Sequence, residues 1–258
     1  MRLHVERVGA GPPVVLVHGS VIGARLTWRE QLPLAERWTL VLVDRPGFGA
    51  SPPVDRVDFE VDAPLVAEVL GEGAHLVGHS YGGVVSLLAA ARRPEAVRSL
   101  TVSEPPAFGV ARGHSAVEAF VADATALWSE GAEDPAAFLD RFLRLVGSKL
   151  VPGALSPEFE RGARLLRVER GPWEAEIPLD ELAAAPFPKL VVSGGHHPAF
   201  DAVCDVLEER LHAERFVVPG AGHSVPRTGP PFSERLAAFL SSAESSGYRP
   251  QRQTGSPR

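Results

Sequence analysis

His75-Leu76-Val77-Gly78-His79-Ser80-Tyr81-Gly82-Gly83 joins two different periodicities. The short apolar run before Gly78 predicts a buried strand. From Tyr81 to Arg92 apolar residues recur at helical spacing. A chain that turns from strand to helix within so few residues holds the residue at the turn in strained backbone geometry, with its side chain exposed. That residue is Ser80. Gly78 and Gly82 remove side chains that would collide across the turn. The helix start adds unpaired N–H groups and the positive end of a dipole beside the hydroxyl, where negative charge would develop. Ser80 is therefore the candidate nucleophile.

The flanking sequence repeats the strand–helix rhythm. Val14–Val17, Thr39–Val43, Leu100–Val102, Lys189–Val192 and Phe216–Val218 are further strand candidates, several of them β-branched and non-alternating, as parallel strands buried on both faces require. Leu3–Val8 alternates and predicts an antiparallel edge strand. Helical spacing covers Ala24–Glu36, Phe59–Leu70, Ala202–His212 and Phe232–Ala243. Strands alternating with helices predict an α/β fold with a doubly wound, mostly parallel sheet.

The rhythm stops between Pro105 and Pro186. That stretch offers helices at His114–Trp128, Pro135–Val146 and Pro157–Val168 and no strand, so 107–186 is expected to be a helical cap inserted into a core of 1–106 and 187–240. Its aromatic residues, Phe108, Phe120, Trp128, Phe138, Phe142, Phe159 and Trp173, are expected mostly inside the cap, a few lining a cavity against the sheet. Residues 241–258, rich in Ser, Gly, Pro, Arg and Gln, are expected to form a disordered tail.

Composition narrows the function classes. The chain has 258 residues, 45% of them hydrophobic, and a net charge of −6. Its arginines are scattered and its only lysines are Lys149 and Lys189, so neither nucleic acid nor an anionic membrane surface is an expected partner. Cys204 is the only cysteine, which rules out an intrachain disulfide and fits a reducing compartment. Residues 1–8 lack the apolar run of a secretory leader, and no apolar run reaches the roughly 18 residues of a membrane helix. A cytoplasmic protein with a small-molecule substrate is the expectation.

A serine hydroxyl needs a base. His223, in the glycine-rich loop Gly220-Ala221-Gly222-His223-Ser224 between the last strand and the last helix, is placed to reach over the carboxyl edge of the sheet.

Together with His18-Gly19 after an early strand and Asp44-Arg45-Pro46-Gly47-Phe48-Gly49 after the next, these motifs resemble the α/β-hydrolase superfamily over residues 3–240. The resemblance implies an oxyanion hole made by the backbone amides of Ser20 and Tyr81. It leaves Asp44–Gly49 as a structural loop; without a following Lys its glycines do not form a phosphate loop. Ser80 at the elbow argues against the haloalkane dehalogenases and epoxide hydrolases of the superfamily, which use Asp there.

The third triad member departs from the pattern. The loop that usually carries an Asp reads Ser193-Gly194-Gly195-His196-His197-Pro198. An anion is still needed to hold the imidazole tautomer and stabilise the imidazolium. Glu104, at a strand end where some branches of the superfamily place their acid, is favoured, and Pro105 is expected to keep it extended. Asp201 is the rival. His196 and His197, with or without Asp201, lack a third ligand at recognisable spacing, so no metal is expected. Cys204 is expected to be a small core residue. No cofactor is expected.

These residues predict acyl transfer to water on an ester-like bond (a carboxylic ester, lactone or thioester) of a small to medium apolar substrate. A carbon–carbon bond hydrolase would use the same set, as would perhydrolysis. A catalytically silent ligand-binding protein of this fold is the alternative, but has no need of a Ser80–His223 pair.

Overall fold

The computed structural model of the chain describes residues 1–130, 134–149 and 156–246. Its strands are β1 (Val5–Val8), β2 (Pro13–Val17), β3 (Thr39–Val43), β4 (Ala74–His79), β5 (Val97–Ser103), β6 (Lys189–Ser193) and β7 (Glu214–Val217). They form one sheet in the order β1-β3-β2-β4-β5-β6-β7. Only β1 runs antiparallel, paired with β3 through Val5 opposite Val43. All other neighbouring pairs are parallel.

The helices are α1 (Ala24–Thr27), α2 (Phe59–Val69), α3 (Tyr81–Arg92), α4 (Ser115–Glu130), α5 (Pro135–Leu145), α6 (Pro157–Arg167), α7 (Leu179–Ala184), α8 (Pro198–Leu211) and α9 (Pro230–Ser245). Side chains alternate across a strand, so each central strand feeds two cores. Val15, Val17, Val41 and Leu76 pack with Val66 of α2, Val84 of α3 and Val203 of α8. Val14, Leu16, Leu40 and Val77 pack on the other side with Trp28, Trp38 and the α9 residues Phe232, Leu236 and Phe239. Helices on both faces explain why the strands read as unbroken apolar runs.

After β3 the chain crosses to β4 on the opposite side of β2, so the strand order reverses between β2 and β4. Ligands in such sheets bind outside the carboxyl ends of the strands at this switch point. Gly19 and Ser80 lie there, with Val17 paired to Gly78.

Helices α4–α7 lie between β5 and β6 in the chain. Leu127, Phe138, Leu139, Leu143, Ala163 and Leu166 of α4–α6 pack on Val21 and Ile22, in the loop after β2. The insertion is thereby seated over the carboxyl end of the sheet.

Two expectations need correction. Ala24–Glu36 is not one helix: α1 ends at Thr27 and Arg29–Glu36 tightens into a 3-10 helix containing Pro33, which has no N–H to donate. The tail expected from Ser241 starts in helix instead, because Ser241–Ser245 belong to α9, with Ala243 buried; the rest of the stretch, 247–258, lies outside the described residues. The short helix α7 was also absent from the sequence reading.

Candidate active site

Ser80 sits between β4 and α3 with φ 53° and ψ −127°, a conformation that costs an L-residue about 1–3 kcal/mol. Packing enforces it. A Cβ on Gly78 would overlap Gly82 O and Ser86 Oγ, and one on Gly82 would overlap the carbonyls of Val17 and His18. The Ser80 N–H is tied to Ser103 O at 2.9 Å, while Gly83 N–H returns to Ser80 O at 2.7 Å. Tyr81, first in the helix, has no intrahelical acceptor for its N–H.

His223 arrives from the loop before α9, its N–H bonded to Gly147 O at 3.2 Å. Its Nε2 lies 2.8 Å from Ser80 Oγ and its Nδ1 lies 3.2 Å from Glu104 Oε2. A carboxylate oxygen only accepts, so Nδ1 carries the hydrogen and Nε2 faces the serine hydroxyl with its lone pair. Burial, reinforced by His196 and His197, lowers the pKa of His223 from 6.5 to about 3. The imidazole is therefore neutral, its basic form, at neutral pH.

Glu104 follows β5 and is fully buried. Its N–H is held by Val192 O at 2.9 Å, and its Oε1 accepts the Gly194 N–H at 2.6 Å. Burial raises its carboxyl from 4.5 to about 7, against the pull of the Gly194 N–H and of His196. Pro105 does not hold Glu104 extended as expected: φ is +50°, in the left-handed region. The structure thus brings Ser80, His223 and Glu104 together. Asp201 lies elsewhere in its contacts, accepting from Ser193 Oγ at 2.9 Å with Arg215 at 3.5 Å.

The loop after β2 closes on the elbow. A Cβ on Gly19 would lie 2.8 Å from Ser80 Cβ, so only glycine lets the chain pass beside the serine. His18 Nδ1–H donates to Gly19 O at 2.7 Å, and its Nε2 accepts the Arg45 N–H at 3.0 Å. Accepting the Arg45 N–H needs the neutral ring, which burial secures by lowering its pKa to about 3.

Sequence reading missed what lies beneath. Asp44 does organise its loop, accepting the N–H groups of Ala24 and Ala50 at 3.2 and 3.1 Å. Arg45, however, is fully buried, with Asp62 at 3.1 Å, Gly19 O at 3.3 Å and Glu169 at 3.5 Å. Its guanidinium lies 4.5 Å from the centre of the Tyr81 ring. Glu169, from the insertion, accepts the Ser20 hydroxyl at 2.6 Å. Burial raises Asp62 to about 6 and Glu169 to about 7, each countered by Arg45.

Two pockets meet at Ser80 and His223. The outer, about 50 Å³, is bordered by Gly19, Ile22, Thr27, Leu143 and Ser224. The inner, about 20 Å³, is walled by Phe108, Phe120, Trp128, Phe142, Trp173 and Phe200, with Ser20, Tyr81 and Glu169 as polar edges. More of the insertion's aromatic residues face this pocket than expected. Phe138 and Phe159 pack among the insertion's own helices instead. Cys204 is buried in the core, where desolvation pushes its thiol up.

His196 is not grouped with Asp201. One ligand-type atom from each of Glu104, His196 and His223 lies within 4.8 Å of the others.

Residues 14–239 match the model of the alpha/beta hydrolase family. The chain belongs to the α/β-hydrolase family. It is 42% identical over 112 residues to a pimeloyl-[acyl-carrier protein] methyl ester esterase of Aeromonas hydrophila, an alignment covering 42% of this chain and 44% of that protein. The chain thus matches less than half the length of that esterase. A 2-(acetamidomethylene)succinate hydrolase of Mesorhizobium japonicum is 26% identical over 245 residues, 88% of this chain and 87% of its own. Among solved structures, an alpha/beta hydrolase of Sphaerobacter thermophilus superposes with a TM-score of 0.68 at 24% identity, over 92% of this chain and 96% of that one. No helix among the described residues is long and apolar enough to cross a membrane.

Proposed function

We propose that this family member is a serine esterase, and one observation carries the reading: the unbroken contact from Ser80 Oγ through His223 to Glu104, at 2.8 and 3.2 Å. Ser80 attacks the ester carbonyl as His223 Nε2 takes its proton. Glu104 keeps Nδ1–H directed and stabilises the imidazolium. The amides of Ser20 and Tyr81 receive the oxyanion of the tetrahedral intermediate. His223 then protonates the leaving alcohol, and water, activated by the same imidazole, releases the acid.

The aromatic inner pocket favours an apolar group. With about 20 Å³ it holds roughly one water, so a short acyl chain belongs there and the alcohol portion in the outer pocket. The methyl ester esterase among the relatives supports an ester bond. A protein that only binds ligand has no use for a serine hydrogen-bonded to a neutral histidine. The test is hydrolysis of p-nitrophenyl acetate. The wild type turns it over, and Ser80→Ala loses activity by up to about a million-fold. Undiminished turnover in Ser80→Ala refutes the assignment.

A further inference from the structure

Gly19 O and the Ser20 N–H belong to one peptide unit. The bond is trans, so its C=O and its N–H point in opposite directions. Two donors hold the carbonyl end, His18 Nδ1 at 2.7 Å and Arg45 Nη2 at 3.3 Å. Fixing the carbonyl there aims the N–H to the other side, away from His18 and Arg45. Among the described residues the Ser20 N–H has no hydrogen-bond partner, and Ser20 borders both pockets beside Ser80.

The Ser20 side chain is held as well. Its hydroxyl donates to Glu169 Oε1 at 2.6 Å. Oε2 of the same carboxylate stands 3.5 Å from Arg45 Nη2, the nitrogen that donates to Gly19 O. One buried side chain of the insertion therefore touches both supports of the Gly19–Ser20 unit. Glu169 is itself fixed from two sides. Val57, in the core just before α2, donates its N–H to Val168 O at 3.2 Å and accepts the Arg170 N–H at 2.9 Å. Trp128 of α4 donates its Nε1–H to Glu169 O at 3.1 Å.

Charge balance does not account for this carboxylate. Arg45 needs one anion, and Asp62 of α2 supplies it at 3.1 Å from Nη1. Burying a second carboxylate beside the pair costs free energy. What Glu169 adds is the hydrogen bond to Ser20.

We propose that Glu169 is a positioning residue of the oxyanion hole. It tethers the Ser20 side chain directly and steadies Arg45 on the Gly19 carbonyl, and the two contacts together aim the Ser20 N–H at the developing oxyanion. The insertion thereby completes a hole whose two N–H donors both come from the core. The proposal rests on the reading of Ser80 and of the Ser20 and Tyr81 amides given above. No proton moves through Glu169. Its effect is greatest in the transition state, because negative charge reaches the carbonyl oxygen only there.

Glu169→Met keeps the length of the side chain and removes the acceptor. With p-nitrophenyl acetate, kcat is expected to fall about 10- to 100-fold, less than the cost of losing the donor outright, while KM is held. Trifluoromethyl ethyl ketone reads the hole by itself. Ser80 Oγ adds to its carbonyl carbon, the hydroxyl proton goes to His223 Nε2, and the carbonyl π electrons become an oxyanion in the hole. Ethyl methyl ketone binds without that charge. In Glu169→Met, affinity for the fluorinated ketone falls by the same factor as kcat/KM, and affinity for the unfluorinated one stays at the wild-type value. Glu169→Gln, whose amide keeps a hydrogen bond to the Ser20 hydroxyl, recovers most of the loss. Wild-type affinity for the fluorinated ketone in folded Glu169→Met, or equal losses for the two ketones, overturns the proposal. If Glu169→Met does not fold, Ser20→Ala decides, since it deletes the hydroxyl and leaves the N–H. The same split between the ketones then supports the proposal, and its absence overturns it. Failure of the esterase reading shows separately, as turnover that survives in Ser80→Ala.

Discussion

Glu104→Gln keeps the size of the side chain and removes its charge. The amide then faces His223 Nδ1, the wrong tautomer is favoured, and kcat falls by about 10⁴. Asp201→Asn, whose contacts run to Ser193 and Arg215, leaves kcat within a few-fold of wild type. Steady-state kinetics of the two variants check this, and near-normal turnover in Glu104→Gln would return the acid role to Asp201 or another group. Ser80 and His223 were legible because each sits in a local motif whose geometry follows from a few neighbouring glycines. Glu104 was legible only as one of two choices, since its N–H and its carboxylate are held by Val192 and Gly194, far away in the chain. Arg45 and Glu169 were not legible. Their burial arises from packing between the loop after β3 and the insertion, which no local pattern encodes.

The C-terminus of α5 links the insertion to the candidate site. Gly147 N–H bonds Arg144 O at 3.1 Å and Ser148 N–H bonds Leu143 O at 2.9 Å, the pairing of a Schellman cap, with Gly147 in the left-handed region at φ 62°. This cap presents Val146 O to His196 and Gly147 O to His223. Gly147→Ala adds a methyl group against His196 and about 1–2 kcal/mol of left-handed backbone cost. A lower Tm and a lower kcat, with KM held, are the expected outcomes by thermal melting and kinetics. Unchanged values would mean that the cap does not support the site. The helix itself was legible from its apolar spacing. Its role was not, because the contact joins residues far apart in the chain. The 3-10 segment Arg29–Glu36 escaped for a different reason: its apolar spacing is helical, but Pro33 denies the backbone a donor.

At the scale of the molecule, buried ionisable groups set the response to pH. His18 and His223 fall from 6.5 to about 3 and His75 to about 4. Unfolding lets them take up protons below pH 6.5, so their contribution to stability shrinks as pH falls through that value. Glu104, Asp62 and Glu169 are raised to about 7, 6 and 7. The folded protein binds protons there that the unfolded chain releases, so these groups favour folding as pH drops from about 7 toward 4.5. The two sets oppose each other across that window. Below about pH 4 these three carboxyls are largely protonated in both states and no longer offset the histidines. Tm should therefore vary little between pH 7 and 4.5 and fall steeply below; a steep fall beginning near pH 6.5 would show that the carboxyls do not offset the histidines. The doubly wound, mostly parallel sheet follows from the strand and helix periods and was legible; the strand order was not, because no local pattern says which strands pair, and the pocket, made where insertion meets sheet, was only partly so. Activation of Ser80 by His223 is read out by labelling with a fluorophosphonate probe. Stoichiometric labelling of the wild type at Ser80, absent in both Ser80→Ala and His223→Ala, is the expected result. A folded wild type that resists the probe, or a His223→Ala variant that labels as fast, would contradict it.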